Sequence, residues 1–65
     1  MNLYDFKPKK AIKYKYSPDD VVFHITKVLS VTANEVSFLG RWSAPDIEQE
    51  MTLTKETAKN WEETK

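Results

Sequence analysis

The chain has 65 residues, one glycine and no cysteine, and its ten basic side chains balance ten acidic ones. That length allows a single domain that buries only about 60% of its unfolded surface. The lack of thiols rules out disulfide staples and thiolate metal sites, and zero net charge rules out a global field drawing the chain to polyanions. No apolar run approaches the roughly 20 residues that span a bilayer, and no signal-like apolar segment follows Met1, so a soluble cytoplasmic protein is the expectation.

Charge is unevenly spread along the chain. Residues 1–16 carry Lys7, Lys9, Lys10, Lys13 and Lys15 against Asp5 alone. Residues 46–65 carry Asp46, Glu48, Glu50, Glu56, Glu62 and Glu63 against Lys55, Lys59 and Lys65. The chain is a charge dipole in sequence, and it is one in space only if its ends are held apart.

Residues 1–10 hold Leu3, Tyr4 and Phe6 without a sustained period and are interrupted by Pro8, so they read as an irregular arm ahead of a domain over residues 11–65. From Ala11 to Tyr16 the order alternates, with Ile12, Tyr14 and Tyr16 on one face and Lys13 and Lys15 on the other, which predicts a first strand. Ser17-Pro18-Asp19-Asp20 suits either a type I turn or a helix start. The helical option has Val21, Val22, Ile25, Val28 and Leu29 at helical spacing, but Val-Val-Phe-His-Ile-Thr is β-branched and aromatic and fits a pleated surface better. A second strand over 21–26, bending at Lys27 into a third, is the preferred reading.

Thr32-Ala33-Asn34 joins the third strand to a fourth. Asn34 tolerates a left-handed conformation far better than Ala33 does, which favours a three-residue loop with a bulge. In that register Val31 faces Glu35, Ser30 faces Val36, Leu29 faces Ser37 and Val28 faces Phe38. Val28, Val36, Phe38 and Trp42 then line the core face, while Leu29, Val31, Ser37, Leu39 and Arg41 look outward. A slip of one residue would exchange the faces. Ser43-Ala44-Pro45-Asp46 is a turn by composition, and Ile47 to Leu53 alternates again as a fifth strand. Thr54 is a good N-cap with Glu56 in the first turn, and Ala58 and Trp61 are three apart, which predicts a short C-terminal helix closing the sheet through Trp61.

Catalytic chemistry finds no support in these residues. His24 is the only imidazole, with no second imidazole or thiol to complete a metal or nucleophile site. The adjacent pairs Asp19-Asp20 and Glu62-Glu63 point apart on a regular element, and the lone Gly40 reads as a bulge or as close packing against an aromatic ring. No cofactor or metal is expected.

Ile12-Lys13-Tyr14-Lys15-Tyr16, together with Lys27-Val28-Leu29-Ser30-Val31 and Val36-Ser37-Phe38, resembles the first strand and central hairpin of the archaeal seven-kilodalton chromatin proteins. That resemblance implies a small five-stranded SH3-like barrel with a C-terminal helix. It also implies DNA binding through the outer face of the central hairpin, with Leu29 and Val31 as wedges between base pairs and Glu35 where the family has a second wedge.

Two functional readings follow. The first is a non-catalytic protein that binds another protein, or a second copy of itself, through Leu29, Val31, Leu39 and Arg41, since an apolar centre with arginine beside it is common interface composition. Chains this small and cysteine-free are often accessory factors or inhibitors carried by phages and other mobile elements, which is an expectation from size alone. The second is nucleic-acid binding through Lys13, Tyr14 and Lys15 with Leu29 and Val31, in which lysines seek phosphates and rings stack on bases. A neutral chain lacks the excess of lysine that drives counterion release, which places protein binding first.

Overall fold

A computed structural model of the chain describes residues 1–18, 20–43 and 46–64. It is mainly β: strands β1 (Ala11–Tyr14), β2 (Phe23–Val31), β3 (Glu35–Trp42), β4 (Glu48–Thr54) and β5 (Trp61–Glu63), with one helical turn, α1 (Lys55–Ala58), between the last two. All pairings are antiparallel, in a single sheet of order β4-β3-β2-β1-β5. The sheet does not close into a barrel, because β5 pairs with β1 and β4 pairs with β3 and nothing among the described residues joins β4 to β5.

The predicted second and third strands are one continuous strand. The bend expected at Lys27 is instead a bulge, since Ile25 pairs with Gly40 and Lys27 with Leu39, leaving Thr26 as the extra residue on β2. The Thr26 hydroxyl donates to the Leu39 carbonyl at 3.1 Å, so the irregularity is pinned by a side chain. The expected C-terminal helix is cut to one turn. Thr54 does cap it, accepting from the Thr57 N–H at 3.3 Å, while Trp61 belongs to β5 and pairs with Tyr14. Ala58 and Trp61 are both buried, so their burial was readable where the element carrying Trp61 was not. The two predicted turns fall partly outside the described residues, at Asp19, Ala44 and Pro45. Around the first, Ser17 donates to the Tyr14 carbonyl at 3.1 Å and Val21 to that of Pro18 at 3.1 Å.

One face of the sheet carries the core: Ile12, Phe23, Ile25, Val36, Phe38 and Leu53 are buried there, as period-two alternation requires. The N-terminal arm supplies the second layer. A 3-10 turn over Leu3–Asp5 is capped by Asn2, and it buries Leu3 and leads to Phe6, whose ring stacks on Phe38 at 5.4 Å and 13°. Leu3 and Phe6 of the arm are thus part of the core. The Met1 ammonium donates to the carbonyls of Ala58 at 3.1 Å and Trp61 at 3.2 Å, tying the arm to the end of α1 where a cation is favoured. Gly40 lies under the Phe23 ring, the close packing expected of it: a Cβ there would overlap that ring and the His24 carbonyl oxygen.

Candidate functional site

The hairpin joining β2 to β3 decides where the expected outward side chains lie. Its loop is tighter than the three-residue loop predicted, and Asn34 is not left-handed; among the described residues only Lys9, at φ 72, has positive φ outside glycine. The Thr32 hydroxyl accepts the N–H groups of Asn34 at 3.2 Å and Glu35 at 3.1 Å, while the Thr32 N–H donates to the Glu35 carbonyl at 2.8 Å. A side-chain acceptor does what a left-handed residue would otherwise have to do. Near the turn the register therefore slips by one: Val31 pairs with Val36 and Ser30 with Ser37. A second bulge, with Leu29 as the extra residue, restores the predicted pairing of Val28 with Phe38.

That slip divides the predicted protein-binding patch. Cross-strand partners share a face, so Val31 lies on the side of buried Val36, at the rim of the core face, and not on the outer face with Leu39 and Arg41. Leu39 is half-buried on the outer face, between Lys27 of β2 and Glu50 of β4. Arg41 faces His24 and Glu48, and its guanidinium donates to Asp46 at 2.8 Å and lies 3.6 Å from Glu48. The bond and charge of Arg41 hold the Asp46 carboxyl below the ordinary range, and Asp46 raises Arg41 in return. With Ser30, Ser37 and Thr52 completing its rows, the outer face is polar around one aliphatic side chain.

Of the predicted patch, what remains exposed and apolar is the far end of β2. Leu29 is 40% and Val31 37% accessible. On the side of β2 away from β3, β1 pairs only with Phe23 and His24, and the arm adds two bonds at Ile25, to Lys9 and Lys10, each at 2.9 Å. From Lys27 to Val31 that edge has no strand beside it among the described residues. The Thr32 bond to Glu35 fixes the alternation at the tip, so the N–H and C=O of Val31 point to this open edge. Sequence reasoning named Leu29 and Val31 but missed the edge, because the length of overlap between β1 and β2 is not written in either strand.

The residues named for nucleic acid are separated as well. Lys13 and Tyr14 are neighbours on a strand and face opposite ways: Tyr14 packs edge-on against Trp61 at 5.7 Å, while Lys13 lies 3.7 Å from Glu62. Lys10 bonds Glu63 at 2.9 Å. Lys15 is exposed, and its N–H donates to the Asn60 carbonyl at 2.8 Å. Because β1 lies against β5, the basic beginning of the chain is folded onto its acidic end, and the charge dipole of the sequence cancels locally. Tyr16, 75% accessible, is the outer end of a series of touching rings that continues through Tyr14, Trp61, Trp42, Phe23 and Phe38 to Phe6.

A groove of about 450 Å³ opens beside β1 and β5, lined by Lys13, Val22, His24, Ser43, Glu62 and Glu63 among others. It gathers the one histidine with carboxylates, but no group of three or more His, Asp or Glu among the described residues is placed to hold a metal ion. No helix among the described residues is long and apolar enough to cross a membrane. No family model, no curated protein and no solved structure matches this chain.

Proposed function

We propose that this protein is a small non-catalytic binding module that contacts another protein through the open end of β2. The observation carrying this reading is the coincidence of two exposed aliphatic side chains, Leu29 and Val31, with an unpaired strand edge. Each is a feature that soluble β proteins normally cover or blunt, and strand edges with apolar pockets are a recurrent mode of peptide recognition. Leu39 and Arg41 on the outer face are secondary contacts. An SH3-like arrangement is the finer reading of the fold, supported by the long bulged β2 shared between β1 and β3 and by the helical turn between β4 and β5. A role as a mobile-element accessory factor or inhibitor fits the size and the lack of cysteine.

Nucleic-acid binding ranks second, because Lys10 and Lys13 already have glutamate neighbours and the two wedges are on a bulge and a core rim. Titrating the protein with a short DNA duplex at low salt, read by amide shifts, separates the readings. No shifts at Lys13, Tyr14, Lys15, Leu29 or Val31 are expected, and strong shifts that vanish as salt rises would favour nucleic acid. In the companion experiment a host protein is captured by the wild type and lost by a folded Leu29→Asp variant. Capture that ignores this substitution would move the site away from β2.

A further inference from the structure

We infer that the open edge of β2 pairs with the same edge of a second copy of this chain, antiparallel and two-fold symmetric, with Val28 of each copy opposite Val31 of the other. This deepens the proposed function, on which it rests, by naming the partner. An edge that pairs with itself by antiparallel alignment generates a closed dimer, since each copy offers the same patch to the other. Val28 pairs with Phe38, whose backbone groups turn to β4, so Val28 like Val31 turns its N–H and C=O to the open edge. Setting Val28 opposite Val31 of the second copy lets the two exchange hydrogen bonds and puts Lys27 opposite Thr32, so no like charges face one another. The bulged Leu29 falls beside the axis, opposite Ser30 of the second copy.

Length and charge at the ends of the open stretch agree with this arrangement. The edge opens just beyond Ile25, where Lys9 and Lys10 occupy it, and closes at the turn that starts at Thr32. The turn of one copy therefore ends beside Lys9 of the other. That turn presents the exposed carboxylate of Glu35, and Lys9 is exposed, held in its left-handed conformation at φ 72. A two-fold axis makes this complementary contact twice. Zero net charge removes long-range repulsion between copies.

Sedimentation equilibrium from about 10 μM to about 1 mM tests the proposal. The expected result is a concentration-dependent dimer. Leu29→Asp, which places a carboxylate on each side of the axis, is expected to weaken it at least about tenfold. Val31→Pro removes an N–H that the protein's own ladder does not use, and is expected to weaken the dimer while leaving the monomer's amide spectrum folded. Glu35→Lys and Lys9→Glu alone are each expected to weaken it about twofold to fivefold, and together to restore it. A monomer throughout the range overturns the proposal, as does a dimer indifferent to Val31→Pro and to the charge exchange. Neither result touches the reading of β2 as a protein contact, which fails separately if Leu29→Asp leaves host capture unchanged.

Discussion

Gly40→Ala is expected to be among the most damaging single-methyl changes available in this chain. The added Cβ would overlap the Phe23 ring and the His24 carbonyl oxygen, and neither can give way easily. Phe23 is wholly buried and held edge-on by Trp42 at 5.0 Å and Phe38 at 5.7 Å, and the carbonyl belongs to the backbone of β2, which pairs with β3. Overpacking of this kind costs about 1–3 kcal/mol. Relief of glycine's extra unfolded-state entropy returns about 0.5–1 kcal/mol, so a net loss of roughly 0–2.5 kcal/mol follows, with the rigid neighbours favouring the upper half. A 65-residue domain has roughly 3–10 kcal/mol in total, so the loss is a large fraction of it. Urea unfolding followed by tryptophan fluorescence measures it: with a slope of about 1 kcal/mol per molar, the midpoint is expected to fall by about 1–2.5 M at unchanged slope. Adding Phe23→Leu to Gly40→Ala should cost less than the two single losses summed, because the smaller side chain vacates the ring's share of the overlap while that with the His24 carbonyl remains. An alanine variant as stable as the wild type, or strictly additive losses, would refute the close-approach account.

Further outcomes follow from other local features. Lys9→Gly should raise the melting temperature, because a left-handed non-glycine residue costs about 1–2 kcal/mol and glycine's entropy cancels only about 0.5–1 of it; a lower melting temperature counts against this. Thr32→Ala should destabilise the hairpin by about 1 kcal/mol in thermal melts, since one hydroxyl serves two turn N–H groups. Arg41→Gln should move the Asp46 carboxyl titration, followed by NMR, back up toward the ordinary range. Because the folded-state pKa of Asp46 is depressed, its contribution to stability is present above the unfolded pKa and is lost as pH falls through the folded one. The variant should therefore lose less stability on acidification than the wild type, by a small amount that salt diminishes.

Much of this fold was legible because alternation is a local signal. Ile12, Phe23, Ile25, Val36, Phe38 and Leu53 fall on the core face as their spacing predicts, and Thr54 caps a helical turn. The errors share a cause in tertiary context. Trp61 was placed on a helix because its spacing from Ala58 suits one, yet the strand it forms exists only because β1 offers an edge. The hairpin register slipped at Thr32, whose hydroxyl replaced the left-handed residue that turn rules anticipated, and two bulges then decided which way Val31 looks. Leu3 and Phe6 carry no period at all, so their part in the core was invisible until Phe38 was in place. The charge dipole was read correctly along the sequence, but its cancellation depended on β1 and β5 being neighbours.

Amide hydrogen exchange at Val31, compared with Ile25 at low and high protein concentration, tests the open edge most directly. The Ile25 N–H is bonded to the Lys10 carbonyl at 2.9 Å and should be protected at every concentration. The Val31 N–H should exchange freely in dilute solution and slow down as the protein is concentrated and the edge is taken up. A Val31 amide as slow as that of Ile25 in dilute monomer would mean that the edge is already covered, and would contradict the account.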